Sequence, residues 1–182
     1  MERFRKISSV IFVFSLLCLS FVNCSSSKAY TIQYEPTLEQ LVSETEEICL
    51  NRRLFIFSAR PCLILRGEKD NASSVIQYYL RYEIGSFDVD LPLGISMKFG
   101  DVWHNLKKSA TNYSDTITVV SLFTNEDLLA LTSSSKMELS YTNRAKTENF
   151  KLSDSDVSKV KDGFVKIQRL LESEKKMTIL KK

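Results

Sequence analysis

The hydrophobic pattern divides the chain into a leader and a folded body. Residues 7–22 carry no charge and are rich in Ile, Val, Phe and Leu; Arg3, Arg5 and Lys6 precede them. An apolar run of about 16 residues is short of the roughly 20 that a spanning helix needs. A basic start, an apolar centre and small residues after it are the plan of a secretory signal, so residues 1–23 are expected to be a signal peptide. Residues 24–36 read as a tether. Residues 37–182 read as a single globular domain.

Within that domain, Thr37 with Gln40 three residues later reads as a capping box. Leu38, Leu41, Val42, Thr45, Ile48 and Cys49 recur at helical spacing, which predicts a first helix over about 38–50. Strands are expected next, at 54–57 and 63–65, with Pro61 marking a bend or an edge. Residues 67–71 read as a polar turn. The clearest strand is 76–84, where Ile76, Tyr78, Leu80, Tyr82 and Ile84 alternate with Gln77, Tyr79, Arg81 and Glu83. Ile95, Met97 and Phe99 alternate likewise, and a further strand carries Trp103 and Leu106. Residues 117–123 are apolar on both faces, as in an interior strand. Thr124 with Asp127 opens a short helix over 126–132. Residues 136–142 and Phe150 to Leu152 form a hairpin. Ser153 with Asp156 opens a long helix over about 154–174, whose stripe runs Val157, Val160, Phe164, Ile167, Leu170, Leu171. The expected class is α+β: an antiparallel sheet or sheets with an N-terminal helix, a short helix and a long C-terminal helix packed on the sheet.

The leader ends Leu19-Ser20-Phe21-Val22-Asn23-Cys24, followed by Ser25-Ser26-Ser27-Lys28. This resembles a bacterial lipobox of the relaxed, spirochaete-like kind. Phe21 and Asn23 stand where the common pattern has Leu and a small residue. The resemblance implies a lipoprotein cut before Cys24, with palmitate-like acyl chains on its sulfur. The partner is then membrane lipid, and the location is the cell envelope, periplasmic or at the surface, on the outer membrane. Ordinary cleavage near Ala29 is the alternative; it would discard Cys24 and release a secreted soluble protein. The segment "TVVSLFTNEDLLALTSSSKMELSYTN…ENFKLSDSDVSKVKDGFVKIQRLL" loosely resembles the back half of small uncharacterised exported bacterial proteins, a resemblance that implies no activity.

Charge and cysteine content narrow the picture. The first 23 residues carry Arg3, Arg5 and Lys6 against Glu2. The remainder keeps 22 of the 25 basic and 21 of the 22 acidic side chains, a net of about +1. No global attraction to nucleic acid follows. A mature chain of about 155 residues is one ordinary domain with room for a real core. Besides Cys18 and Cys24, only Cys49 and Cys62 remain, an even pair. In an oxidising compartment they are candidates for a disulfide. Closing a loop of about 14 residues contributes on the order of 3 kcal/mol in the chain-entropy model. Two buried thiols are the alternative.

Catalytic constellations are sparse. His104 is the one histidine, so any Ser-His-Asp or Cys-His arrangement must use it, and its place beside Trp103 on a strand favours a structural role. Cys and His do not cluster as zinc ligands do. The five glycines form no phosphate-cradling loop. Asp88 and Asp90 share one side of an extended segment and are the candidates for calcium or acid–base work. Asp154 and Asp156 suit a helix N-terminus, and Asp162 sits near the same last helix. The basic stretch Lys175 to Lys182 reads as a solvated terminus able to touch anionic lipid. No cofactor is expected. The function expected is a lipid-anchored envelope protein that binds a protein or small-molecule ligand, with an envelope hydrolase using Asp88 or Asp90 as the alternative.

Overall fold

The computed structural model describes residues 30, 32–50, 61–85, 90–114 and 116–174. Among these, eleven strands and two helices follow one another. They are β1 (Ile32–Glu35), β2 (Gln40–Glu44), β3 (Ile48–Cys49), β4 (Cys62–Asp70), β5 (Ile76–Gly85), β6 (Pro92–Phe99), β7 (Val102–Asn105), β8 (Lys107–Tyr113) and β9 (Thr116–Leu122). After them come α1 (Asn125–Ser133), β10 (Met137–Asn143), β11 (Thr147–Lys151) and α2 (Asp154–Ser173). Seven strands make one sheet in the order β1-β2-β4-β5-β9-β8, with β3 also on β4; the other sheet is β11-β10-β6-β7. Every pairing is antiparallel.

The expected α+β class, with a helix over 38–50, is overturned. Among the described residues the protein is mostly antiparallel β, in two sheets, with the two helices α1 and α2. Residues 36–39 form a turn, with Glu39 in the left-handed region at φ 52°. A helix cannot start through such a residue. Thr37 Oγ1 donates back to Glu35 at 3.0 Å instead of capping forward. Residues 40–44 then pair with 66–70 of β4. Leu41 and Ser43 face the core. Leu38, the first residue of the expected apolar stripe, is 59% exposed. Apolar and β-branched residues at Leu41, Val42, Thr45 and Ile48 satisfy either period, and the long-range partner decides between them.

The larger sheet turns one mainly apolar face to the core. Leu63 and Leu65 on β4, Leu80 and Tyr82 on β5, and Val119 on β9 are all buried there. The smaller sheet covers one part of this face, bringing Tyr141 to 5.3 Å and Phe150 to 6.3 Å from Tyr82, ring to ring. Helix α2 covers the other part through Val160, Phe164, Ile167 and Leu171. Gly67 makes the close approach possible: a Cβ there would stand 2.5 Å from Ile167 Cγ2 and 2.7 Å from Leu171 Cδ1. One continuous apolar core results.

Both expected helix starts after residue 120 are present. Thr124 and Asp127 close a reciprocal box at α1, and Ser153 accepts from the Asp156 N–H at α2. Strand β4 runs through Asp70, beyond the polar turn expected at 67–71; the turn lies at 71–74, where Asp70 Oδ1 accepts from the Ala72 and Ser73 N–H groups. The strand expected at 54–57 lies outside the described residues.

Candidate functional site

Cys49 and Cys62 are joined by a disulfide and stand opposite each other across β3 and β4. Glu47 approaches the same sulfurs, but sulfurs spent on a disulfide are not metal ligands.

His104 sits on the inner side of β7, opposite Met97. Its Nδ1 donates to Asp127 Oδ1 at 2.8 Å, and Phe99 meets its ring edge-on at 5.2 Å. The other oxygen of Asp127 accepts from the Thr124 N–H and hydroxyl, both at 2.8 Å. Asp127 is thus fully engaged, holding the start of α1 to the edge of the smaller sheet. This is a structural arrangement. Asp156 is likewise bound to the Ser153 hydroxyl at 2.6 Å and paired with Lys159, and Asp162 accepts from Ser158; Asp154 is exposed in the first turn of α2. Asp88 lies outside the described residues, as do Cys24 and residues 175–182. Asp90, half-buried before β6, therefore has no described partner carboxylate from that pair.

The solvent face of the larger sheet carries an ion-pair ladder. Glu44 Oε1 accepts from Arg66 at 3.0 Å and Arg81 at 2.7 Å; Glu68 and Glu83 hold the other sides of the two guanidiniums. Burial works against the charge on Arg66, but its hydrogen bonds to Glu68 and Glu44 outweigh that and raise its pKa. A shallow polar depression of about 350 Å³ beside them includes Tyr79 and Asn112. Its cations are already neutralised, so it does not offer an anion site.

Among the described residues, one concavity has a largely apolar wall. A groove of about 610 Å³ runs between α1, α2 and the start of β5. Helix α1 contributes Leu128 and Leu129, β5 contributes Ile76 and Tyr78, and α2 contributes Phe164. Tyr78 packs edge-on against Phe164 with ring centroids 4.9 Å apart. Leu129 is 71% exposed, a large apolar side chain left facing water at the groove. At the far end Gln168 donates to Glu172 at 2.8 Å. Burial of the phenol, and then the charge of Glu172, push Tyr78 up to about 12. The alternation on β5 places Tyr78 on the core side, where Tyr82 is fully buried; Tyr78 itself forms a groove wall. The groove escapes sequence reading because its walls come from three separate elements. The one local signal is the Leu128-Leu129 pair, which is wider than a single buried helix face.

Compared with models of protein families, with curated proteins and with solved structures, the chain matches none. Among the described residues no helix is long and apolar enough to cross a membrane.

Proposed function

We propose that this chain is an exported, lipid-anchored protein of the bacterial envelope, tethered through acylated Cys24, whose β domain is a binding module. The observation that carries export is the Cys49–Cys62 disulfide, a bond that persists in oxidising compartments and is rare in the cytosol. It agrees with the basic and apolar leader and with the lipobox-like residues before Cys24. Two or three acyl chains on one sulfur hold stably, since each buried methylene contributes about 0.8 kcal/mol. The polar residues Ser25 to Lys28 then keep the domain within reach of the bilayer; the tether expected as far as residue 36 is shorter, because β1 already takes Ile32–Glu35 into the larger sheet.

The binding surface is the groove between α1 and α2, whose walls combine the apolar Ile76, Leu128, Leu129 and Phe164 with polar groups that include Asn125, Gln168 and Glu172. Such a site takes an apolar segment and orients it by a basic or hydrogen-bonding neighbour. His104 and Asp127 are committed to the helix cap, so the reading asks no catalysis of them. In a bacterial host given an alkyne-tagged fatty acid, the wild-type protein is expected to take the label and enter the detergent phase on phase partitioning. Cys24→Ser is expected to do neither. A mature protein that begins downstream of residue 24 and stays in the aqueous phase overturns the anchor.

A further inference from the structure

We infer that the flank of α2 carrying Gly163 and Lys166, together with the β1 edge of the larger sheet, is the side of the domain that faces the bilayer, and that the groove lies on the side turned away from it. The inference rests on Cys24 being the acylated residue, and it adds an orientation. The partner of this flank is the lipid headgroup surface, and a ligand reaches the groove from the water side.

Tyr30 fixes where the chain enters the domain. Its ring packs against the core and lies 4.9 Å from Lys166 Nζ, a cation–π contact. Its hydroxyl reaches Gly163, where a Cβ would stand 3.7 Å from it. Burial, and then the charges of Glu46 and Asp162, raise the pKa of the phenol. Two residues on, β1 begins at Ile32 and pairs with β2 at the edge of the larger sheet. Cys24 and Tyr30 are six residues apart in the sequence. Whatever path joins them, it spans at most about 22 Å, at ~3.6 Å per residue.

That bound is no longer than the larger sheet is wide. From β1 to β8 the sheet crosses five strand spacings, about 24 Å at ~4.8 Å each. The acyl chains therefore hold the β1 edge near the surface and leave β8 free to stand away from it. Helix α2 separates this entry point from the groove. At ~100° per residue, Gly163 and Gln168 stand about 140° apart around α2. The first meets Tyr30; the second lines the groove, whose other wall includes β5, three strands in from the β1 edge. The charges agree with a surface held by its tether. The flank carries exposed Lys159 and Lys166 with Asp162, and Glu46 stands close to Tyr30. Both signs are present, so the flank exerts no strong pull of its own on anionic lipid.

The test uses the acylated full chain on phosphatidylcholine vesicles that carry a rhodamine-headgroup lipid as energy acceptor. A donor dye is attached in turn at three exposed positions: K159C on the Tyr30 flank of α2, E126C on α1 beside the groove, and N112C on β8. Transfer is expected to be several-fold higher from K159C than from E126C or N112C. A long Gly-Ser insertion after Ser27 should bring the three values together, because the reach then exceeds the width of the sheet. The order should be unchanged when part of the phosphatidylcholine is replaced by anionic phosphatidylglycerol. Equal transfer from the three positions without the insertion overturns the inference and leaves the anchor standing. A preference for K159C that survives the insertion, or that appears only with phosphatidylglycerol, also overturns it, since surface attraction would then set the orientation. A protein that does not stay with the vesicles overturns the anchor and the orientation together.

Discussion

Gly67 carries the contact between the main sheet and the long helix, because no side chain fits between its backbone and Ile167. Gly67→Ala should lower stability by about 1–3 kcal/mol, the usual cost of overpacking a filled interior, read as a shift in the denaturation midpoint. Tyr78 gives the residue-scale prediction for pH. Its phenol is raised to about 12 in the folded protein against an ordinary value of 10.0. The folded state therefore holds this proton more tightly than the unfolded chain does. The stabilisation is complete below the ordinary value and is lost as pH rises from there towards about 12. Denaturation midpoints measured on either side of that window should fall for the wild type and fall less for Tyr78→Phe. The alternation of β5 already told which side of the strand Tyr78 occupies. Its place in a groove wall depends on Phe164, far away in sequence, and no local pattern reports that contact.

At the scale of elements, the capping boxes at Thr124 and Ser153 were legible because a cap is a short-range device: the partner lies three residues away in both cases. The region 38–50 was misread because Leu41, Val42 and Ile48 suit a helix as well as a strand, and the deciding partner, β4, begins more than ten residues later. Strand β8, Lys107–Tyr113, escaped for the opposite reason: it is an edge strand, largely exposed, with no apolar alternation to mark it. Two predictions belong here. Replacing Cys49 and Cys62 together by Ser should destabilise by on the order of 3 kcal/mol, since the bond closes a short loop between β3 and β4. The same loss should appear in the wild type when reductant is added, and it should be absent in the variant. Lys69→Met keeps the apolar stem but removes two charge-assisted bonds to the end of α2. It should cost about 2 kcal/mol, and amide exchange should show fraying of the last turn of α2 before the sheet is affected.

At the scale of the whole molecule, both sheets and α2 share one apolar core, from Leu41 on β2 to Leu171 on α2. A core of that kind unfolds as a unit. Far-ultraviolet dichroism and the fluorescence of Trp103, the lone tryptophan, on the edge strand β7, should report one coincident transition. Separate midpoints would mean that the smaller sheet unfolds on its own. By itself, the sequence determined what depends on near neighbours: the caps of α1 and α2, the inward face of β5, the hairpin after α1, and the pairing potential of two cysteines. Tertiary structure alone decided what depends on distant partners. It turned residues 40–44 into a strand, closed the Cys49–Cys62 bond, set Lys69 under the end of α2, and opened an apolar groove between α1 and α2. The reason is physical: local signals act through hydrogen bonds a few residues apart, whereas strand pairing and grooves depend on which surfaces meet once the chain has closed its long loops.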